Sequence, residues 1–228
     1  AALALECKSP TIAYTYTEPS VFFEYVLDTS REARDRGVRN IIKSNGYLNP
    51  GPMRDLIPYL DAANIDLKGF RDDFYRDLTG GTLAPVLETI KLLKKEGVWL
   101  EITNLVIPEK NDGDEMINDL CAWIMTELGP DTPLHFSRFY PQYKLANLPP
   151  TPTDTLARVR DAAQKAGLNY VYIGNVPGPA GEHTYCPKCG AMLIQRLGYQ
   201  VRIQQFRDGR CTQCGQPISG IWEQPDVT

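Results

Sequence analysis

The sequence predicts an α/β fold built around a parallel sheet, and two observations support this prediction. Six runs rich in β-branched and aromatic residues alternate with five helical patterns along the chain. Several helical patterns end at a glycine, as at Gly37, Gly97 and Gly167, which is a common way for a helix to stop. Such alternation is typical of parallel strands joined by right-handed crossovers. Periodicity alone leaves open whether the sheet is an open doubly wound layer or a partial barrel.

The predicted elements follow one another in a regular order. Strands are predicted near 11–17, 39–44, 63–68, 98–107, 133–139 and 169–174. Helices are predicted over 20–37, 52–60, 84–97, 114–128 and 152–166. The pattern therefore gives six strands and the crossovers that join them.

The composition changes after Gly174. The stretch Asn-Val-Pro-Gly-Pro-Ala-Gly has the composition of a linker, and a cysteine-rich tail follows it. We therefore expect an α/β domain over 1–175, a linker over 176–183 and a small module over 184–222. The last six residues are expected to form a frayed end.

The overall composition excludes several classes of protein. The chain has 228 residues, of which 43% are hydrophobic, so it can bury a core of ordinary size. The 24 Lys and Arg against 28 Asp and Glu give a net charge of −4, so the bulk charge gives no sign of nucleic-acid binding. No apolar run is long enough to span a bilayer, and the first residues lack the basic segment of a signal peptide. We expect a cytoplasmic protein.

Every predicted strand turns polar at its carboxyl end, where parallel sheets place their ligand sites. In chain order these tips are Thr15-Tyr16-Thr17-Glu18, Ser44-Asn45-Gly46, Asp66-Leu67-Lys68-Gly69, Asn104, Ser137-Arg138 and Gly174-Asn175. A single polar tip is most simply a turn, because Asn-Gly and Lys-Gly are ordinary turn dipeptides. Six polar tips at one edge favour a shared ligand site.

The third strand separates its apolar side chains from its polar ones by simple alternation. The apolar residues are Ala63, Ile65 and Leu67, and the polar residues are Asn64, Asp66 and Lys68. Polar groups on an inward face are unfavourable unless they pair or bind a polar ligand. Two hypotheses follow, a buried ion pair between Asp66 and Lys68, or a zwitterionic or multiply hydroxylated ligand.

Glu18 and His135 also have two interpretations each. Glu18 precedes Pro19, which holds it extended at the strand tip, so its carboxylate either points to the mouth of the sheet or is simply solvated. His135 shares a strand face with Ser137 and is either a structural or a catalytic histidine. Tyr14, Tyr16 and the Phe22-Phe23 pair fit core packing better than a cofactor pocket.

The tail carries the sharpest local signal. Two C-x2-C-G knuckles, formed by Cys186 with Cys189 and by Cys211 with Cys214, stand 21 residues apart. This spacing favours a four-thiolate zinc site; disulfides and rubredoxin-like iron are the alternatives, and His183 is not needed as a ligand. The strands between the knuckles predict a hairpin too thin to fold without a metal. The other two cysteines, Cys7 and Cys121, are expected to be inert buried thiols.

Five motifs, taken in order, resemble those of one enzyme family. They are Thr-Tyr-Thr-Glu-Pro, Ser-Asn-Gly, Asp-Leu-Lys-Gly-Phe, Pro-Leu-His-Phe-Ser-Arg-Phe and the knuckles that close in Pro-Ile-Ser-Gly-Ile-Trp. From Cys7 to Trp222 the chain resembles radical SAM enzymes related to pyruvate formate-lyase activating enzyme, in the branch called the AmmeMemoRadiSam-system radical SAM enzymes. The resemblance implies a partial (β/α)6 barrel of the radical SAM type that lacks its first strand here, with a zinc-ribbon-like β module.

The resemblance also implies a chemistry. In this family a [4Fe-4S] cluster reductively cleaves S-adenosylmethionine (SAM) to a 5′-deoxyadenosyl radical, which abstracts hydrogen from a substrate. In the activating enzymes this step makes a glycyl radical on a lyase. SAM, an iron-sulfur cluster and an electron donor such as flavodoxin or ferredoxin are therefore implied, while the substrate, which can be a protein, is not identified.

The resemblance assigns site residues by motif. The SAM-binding residues that it implies are Thr15, Tyr16, Thr17 and Glu18, then Ser44 and Asn45, then Asp66 and Lys68. Glu18 and its neighbours match the segment that binds the methionine amine. His135 and Arg138 lie near a histidine that activating enzymes carry after a later strand, so both are implied as catalytic candidates.

One feature departs from the family. No C-x3-C-x2-C occurs in the sequence. The resemblance then implies that the first strand, the cluster loop and most of the first helix lie upstream of Ala1, and that this chain alone is inactive.

Two other functions are compatible with the residues. The first is a catalytically silent α/β scaffold that carries a zinc-ribbon module for protein interaction. The second, an aldolase-type or phosphate-binding barrel, is disfavoured because the sequence has neither a glycine-rich phosphate loop nor a clear Schiff-base lysine.

Overall fold

Six strands form one sheet whose order across the sheet is the order along the chain. They are β1 (Thr11–Tyr14), β2 (Arg39–Ser44), β3 (Ala62–Asp66), β4 (Trp99–Val106), β5 (Leu134–Arg138) and β6 (Val171–Gly174). The pairs β1–β2, β2–β3, β4–β5 and β5–β6 are parallel, as the sequence predicted. This computed structural model describes residues 1–176 and 180–222, so part of the predicted linker and the predicted frayed end lie outside the described residues.

Seven α-helices accompany the sheet in the described part of the chain. They are α1 (Ala2–Glu6), α2 (Phe23–Asp35), α3 (Pro50–Leu56), α4 (Asp72–Thr79), α5 (Ala84–Lys95), α6 (Asp114–Glu127) and α7 (Thr153–Lys165). The five predicted helices are present, although 3-10 turns at Pro19–Phe22 and Ile57–Tyr59 take the ends of two of them. Helix α4 was not predicted, because it has only 8 residues and two of its buried side chains are adjacent aromatics, Phe74 and Tyr75.

The chain divides into two compact units, and the first comprises Ala1–Leu67 and Thr82–Glu101. Its core contains Val26, Ala33, Ile42, Ile65 and Ile90. Along β2 and β3 every second residue is buried, so each strand has one fully covered face and one half-buried face. The predicted alternation of the third strand is confirmed, since Ala63 and Ile65 are buried and Asn64 and Asp66 are half-buried.

A buried asparagine ties several segments of the first unit together. Asn40 is fully buried, and its Oδ1 accepts a hydrogen bond of 2.9 Å from the Tyr14 hydroxyl. Its Nδ2 donates to the carbonyl oxygens of Ser30 at 2.9 Å and Tyr59 at 3.0 Å. One side chain therefore joins β1, β2, α2 and the turn after α3. Burial raises the pKa of the Tyr14 hydroxyl, which keeps it protonated as a donor.

The second unit comprises Lys68–Gly81 and Ile102–Trp222. Its core contains Leu134 and Phe136 from β5, Ile124 from α6 and Leu156 from α7, and all four are fully buried. Thr151 anchors the segment before α7. Its Oγ1 donates to the Val106 carbonyl at 2.6 Å and accepts from the Phe139 N–H at 2.9 Å.

The cysteine-rich tail forms two small antiparallel sheets. Their strands are β7 (Thr184–Tyr185), β8 (Met192–Leu197), β9 (Gln200–Ile203), β10 (Phe206–Arg207) and β11 (Arg210–Cys211). The first sheet has the order β7-β8-β9, and the second pairs β10 with β11. The predicted hairpin between the knuckles is confirmed as β8–β9. None of the helices in the described residues has both the length and the apolar character that a membrane crossing requires.

Replacement of Asn40 by alanine tests the buried network of the first unit. We expect Asn40→Ala to lower the free energy of unfolding by about 2–4 kcal/mol, because it leaves the Tyr14 hydroxyl and two backbone carbonyls without their partner. Denaturant unfolding followed by circular dichroism measures this loss. Asn169→Ala is the matched control, since exposed Asn169 bonds to Asp131 and should cost less than about 1 kcal/mol. Equal losses in the two variants would contradict the assignment.

Candidate functional site

The Glu18 carboxylate joins the tips of β1 and β2. Its Oε1 accepts a hydrogen bond of 2.6 Å from the Ser44 hydroxyl, and its Oε2 accepts one of 2.8 Å from the Asn45 N–H. Oε1 also accepts from the Ser20 N–H at 3.4 Å, so the same side chain caps the turn that follows. The Ser44 hydroxyl in turn accepts from the Gly46 N–H at 3.1 Å. The structure therefore brings together Glu18, Ser44 and Asn45.

The chain reaches Glu18 through a strained turn at Tyr16. This residue has φ of 71°, and a left-handed conformation is unfavourable by roughly 1–2 kcal/mol for a side chain of this kind. The Tyr16 ring is fully exposed, so the expectation that it packs in the core is wrong. Because β1 ends at Tyr14, the turn over Thr15, Tyr16 and Thr17 redirects the chain. The predicted strand over 11–17 was too long for this reason.

Gly46 lets the tip of β2 lie against β3. Its φ is 72°, and a Cβ at this position would come within 2.7 Å of the Ile65 side chain. Only glycine avoids both the strain and the clash. In the Ser-Asn-Gly motif, Ser44 and Asn45 therefore supply polar groups, while Gly46 is required for steric reasons.

The polar side chains of β3 bond to a lysine of β2. Lys43 Nζ donates to Asn64 Oδ1 at 2.7 Å and forms a salt bridge with the Asp66 carboxylate. The side chains are partly buried, with 35% of Lys43 and 18% of Asp66 exposed. Sequence reasoning missed Lys43. The signal was available, because Lys43 pairs in register with Asn64 and lies on the polar face of β2.

Lys68 lies in the second unit, where two asparagines hold its backbone. Its carbonyl oxygen accepts hydrogen bonds from Asn104 Nδ2 at 3.2 Å and from Asn111 Nδ2. Asn111 also donates to the Leu105 carbonyl at 2.8 Å and accepts from the Ile107 N–H at 2.6 Å. Asn111 is buried. It was not predicted from the sequence, because no local pattern shows that an asparagine in a loop will bond to a residue far away along the chain.

The two catalytic candidates on β5 have different surroundings. The His135 ring stacks on Tyr172 of β6, with ring centroids 5.0 Å apart and an angle of 21° between the planes. Arg138 Nε donates to the Thr151 carbonyl at 2.8 Å, and its guanidinium also bonds to the Tyr140 hydroxyl at 3.3 Å. Arg138 therefore holds the loop after β5, while His135 packs against the neighbouring strand.

Four cysteines of the tail converge on one point. The Sγ atoms of Cys186, Cys189, Cys211 and Cys214 all lie within 4.8 Å of one another. The distances Cys186–Cys214 and Cys189–Cys211 are 3.6 and 3.7 Å, and all four thiols are free. A tetrahedral ion with metal–sulfur bonds of about 2.3 Å needs sulfurs about 3.8 Å apart. The donor set therefore fits a single zinc or iron ion and does not contain the disulfides considered as an alternative.

The knuckle backbone supports the four thiols. Gly190 donates to the Cys186 carbonyl at 2.9 Å, and Gly215 donates to the Cys211 carbonyl at 2.8 Å. Burial alone would raise the pKa of the Cys211 thiol. The backbone N–H groups of Cys214 and Gln213, together with the thiols of Cys189 and Cys214, instead lower that pKa to about 7. Such N–H groups stabilise the thiolate that a metal requires.

His183, Cys7 and Cys121 are not members of the four-cysteine cluster. His183 Nδ1 accepts from the Arg196 N–H at 3.2 Å, so this nitrogen is occupied within the tail. Cys121 is buried as expected, and desolvation raises its thiol pKa to about 12. Cys7 is exposed, so the expectation that it is buried is wrong. Helix α1 has only 5 residues and no buried side chain, which leaves Cys7 at a helix end without a core to enter.

The tail contacts β6 through two tyrosines. The Tyr170 hydroxyl accepts from the Ser219 N–H at 3.2 Å, and its ring packs with Cys186, Leu193 and other buried tail residues. The Tyr172 hydroxyl lies 3.1 Å from Thr184 Oγ1. The cysteine module is therefore packed on the last strand of the sheet, next to the ring that stacks on His135.

Comparison with known proteins identifies relatives of this chain. A protein of Methanocaldococcus jannaschii, the uncharacterized protein MJ0808, is 48% identical over 218 residues, which cover 95% of this chain and 65% of that protein. Pyruvate formate-lyase 1-activating enzyme of Escherichia coli is 26% identical over 161 residues, covering 65% of each chain. The chain thus spans 65% of the length of each of these curated relatives.

The fold has solved counterparts. A domain of pyruvate-formate lyase-activating enzyme from Bacteroides vulgatus aligns with a TM-score of 0.61 at 14% identity, covering 72% of this chain and 98% of that chain. This likeness supports the parallel α/β architecture. The sequence profile of the Radical SAM superfamily matches residues 2–121, which is more than half of the chain and includes Glu18, Ser44 and Asp66. The chain belongs to the Radical SAM superfamily.

Proposed function

We propose that this chain is the SAM-binding part of a radical SAM enzyme of the glycyl-radical activating type. With a [4Fe-4S] cluster bound, SAM would be cleaved reductively to a 5′-deoxyadenosyl radical that abstracts hydrogen from a substrate. The observation that carries the proposal is the Glu18 carboxylate, which is fixed by Ser44 and Asn45 where the tips of β1 and β2 meet. The similarity to activating enzymes supports the reaction class.

Glu18 is suited to the methionine ammonium group. An ionised carboxylate has about four acceptor positions, and the hydrogen bonds from Ser20, Ser44 and Asn45 fix its orientation while one position is left over. Pre-oriented carboxylates bind ammonium groups through charge-assisted hydrogen bonds. Thr15, Tyr16 and Thr17 supply the turn that places this group, and we assign them to the same subsite.

Asp66 and Lys43 suit the rest of a zwitterionic ligand. The two charges neutralise each other, so SAM, which brings both a carboxylate and cationic groups, leaves the local charge close to balanced. We assign the Asp66 carboxylate to a ligand hydroxyl or ammonium, and the Lys43 ammonium group to a ligand carboxylate. We assign Lys68 to SAM binding on the Asp-x-Lys motif alone. Asn104 and Asn111 fix the Lys68 backbone and so limit where its side chain reaches.

Of the two catalytic candidates, we favour His135. Arg138 is already bonded to Thr151 and Tyr140, so a role in the reaction would require these contacts to break. Stacking on Tyr172 orients the His135 ring. We place the electron donor among the flavodoxins and ferredoxins and the enzyme in the reducing cytoplasm, where an iron-sulfur cluster persists.

We assign the cluster ligands to residues outside the 228 of this sequence. The sequence has no C-x3-C-x2-C, and four of its six cysteines converge in the tail. We assign zinc to these four thiols as a structural ion and take 184–222 as a separate module that follows the domain over 1–175 and the linker over 176–183.

A second function is favoured by a specific observation. The tail folds around four converging thiols and exposes apolar side chains at Val201 and Ile203, as an interaction module would. A catalytically silent scaffold with such a module would neither bind nor consume SAM. SAM binding by the complete protein therefore separates the two functions.

Glu18→Gln tests the proposed SAM site. We expect it to weaken SAM binding by about ten-fold or more in the complete, cluster-loaded protein, because the substitution removes the negative charge and preserves the shape. Equilibrium dialysis with labelled SAM measures the dissociation constant. Asp28→Asn is the matched control, because Asp28 is exposed and lies on α2, and it should bind as the unaltered protein does. Unchanged affinity in Glu18→Gln would contradict the site.

Metal analysis tests the tail site. We expect the purified chain to carry about one zinc per chain, and Cys186→Ser and Cys211→Ser to lose it, because a four-thiolate site holds its ion poorly with three. Cys121→Ser should keep the metal, since that buried thiol lies outside the cluster. Iron with a thiolate charge-transfer colour, or full zinc content in both cysteine variants, would contradict a structural zinc site.

Anaerobic reconstitution tests where the cluster ligands lie. We expect the 228-residue chain, incubated with iron and sulfide, to form no [4Fe-4S] cluster, because it lacks the three-cysteine motif. The complete protein treated in parallel should form one. A reducible, EPR-active cluster on the 228-residue chain would show that its own cysteines suffice.

A further inference from the structure

Strand β9 forms an open edge of the small sheet in the tail. The sheet has the order β7-β8-β9, so β9 has a neighbour on one side only among the described residues. All four residues of β9 are exposed. An open edge presents backbone N–H and C=O groups that can pair with a further strand.

The register shows which backbone groups face outward. Ile194 pairs with Ile203, Arg196 with Val201, and the Gln204 N–H donates to the Leu193 carbonyl at 2.9 Å. In an antiparallel pair, hydrogen-bonded and non-bonded positions alternate, so Gln200 and Arg202 bond to β8 while Val201 and Ile203 do not. The N–H and C=O groups of Val201 and Ile203 therefore point away from β8.

The same two residues lie on one face of the sheet. Val201 lies opposite Arg196 and Ile203 lies opposite buried Ile194, so both side chains share the face of Ile194. Each is nevertheless 58% exposed, because no described strand covers their outer side. A further strand at this edge would cover two β-branched side chains and satisfy the outward backbone groups.

The net charge of the module indicates which side-chain charge such a strand would carry. Residues 184–222 contain five basic residues and one acidic residue, a net charge of +4, although the whole chain has −4. Arg202 points to the opposite face from Val201 and is exposed, as are Arg207 and Arg210. An acidic partner would be attracted to this module and repelled by the rest of the chain.

We propose that β9 is the docking edge for an extended acidic segment of a partner protein, which adds to the sheet as a fourth strand. In such β-augmentation, main-chain hydrogen bonds give affinity and alternate side chains give specificity. Apolar side chains of the segment would meet Val201 and Ile203, and acidic ones would meet Arg202. A second copy of this chain is disfavoured because its own module would bring the same net charge of +4 to this edge. A nucleic acid would be attracted by the positive charge of the module but would not pair with the outward N–H and C=O groups of β9.

A designed peptide tests the edge on the full, metal-loaded chain. The probe is a fluorescein-labelled hexapeptide of alternating Glu and Val, read by fluorescence anisotropy. We expect saturable binding that weakens with added salt. The same peptide with Lys in place of Glu should bind at least about ten-fold more weakly, as should one with N-methylated valines, whose nitrogens cannot donate to the edge.

Two substitutions at one position separate docking from folding. Val201→Pro removes an outward N–H and leaves the bonds of Gln200 and Arg202 to β8 in place, so metal content and circular dichroism should be unchanged. We expect it to weaken peptide binding by about ten-fold or more. Val201→Thr keeps the N–H and the branched shape and should retain binding. Arg202→Glu should weaken binding of the acidic peptide and improve binding of the lysine peptide.

Several outcomes would overturn the proposal. These are the absence of saturable binding, equal binding of the acidic and N-methylated peptides, and unchanged binding by a folded Val201→Pro. Tighter binding of oligouridylate than of the acidic peptide would assign the patch to nucleic acid. A dimer in sedimentation that Val201→Pro dissolves would assign the edge to a second copy of the chain.

Discussion

One constraint governs the first unit: polar side chains at the carboxyl ends of its parallel strands must find partners. The Glu18 carboxylate meets it through the Ser44 hydroxyl and the Asn45 N–H, and Asp66 meets it through Lys43. These contacts set the shape of the strand tips, because Tyr16 and Gly46 adopt left-handed conformations that let the chain reach them. The function proposed above places a polar ligand of mixed charge at these strand tips.

In the tail, a cluster of four thiols adds to a small buried core. Its strands have 2 to 6 residues each, too few to bury much apolar surface, so the four sulfurs must supply what packing does not. The module is nevertheless attached to the sheet, since Tyr170 and Tyr172 before and within β6 reach Ser219 and Thr184. The ring that contacts the tail also stacks on His135. If the four thiols hold a metal as proposed, its loss would remove a support beside a candidate catalytic residue.

Much of this architecture follows from local patterns. The bounds of β2 were predicted without error, and the alternation of β3 identified which of its faces is polar. Errors arose where long-range geometry decides the outcome. Tyr16 looks like a core aromatic by composition, yet the turn to Glu18 puts its ring in solvent. Asn111 acts through a partner 43 residues away along the chain, which no local pattern marks. Lys43 was missed although the alternation along β2 places it on the polar face.

The central claim is that the methionine end of SAM lies on the tips of β1 to β3. A crystal structure of the complete, cluster-loaded protein with SAM tests it most directly. The account predicts the methionine ammonium within hydrogen-bond distance of the Glu18 carboxylate, with Ser44 and Asn45 still bonded to that carboxylate. Well-ordered SAM bound elsewhere, with no ligand atom near Glu18, would contradict the account.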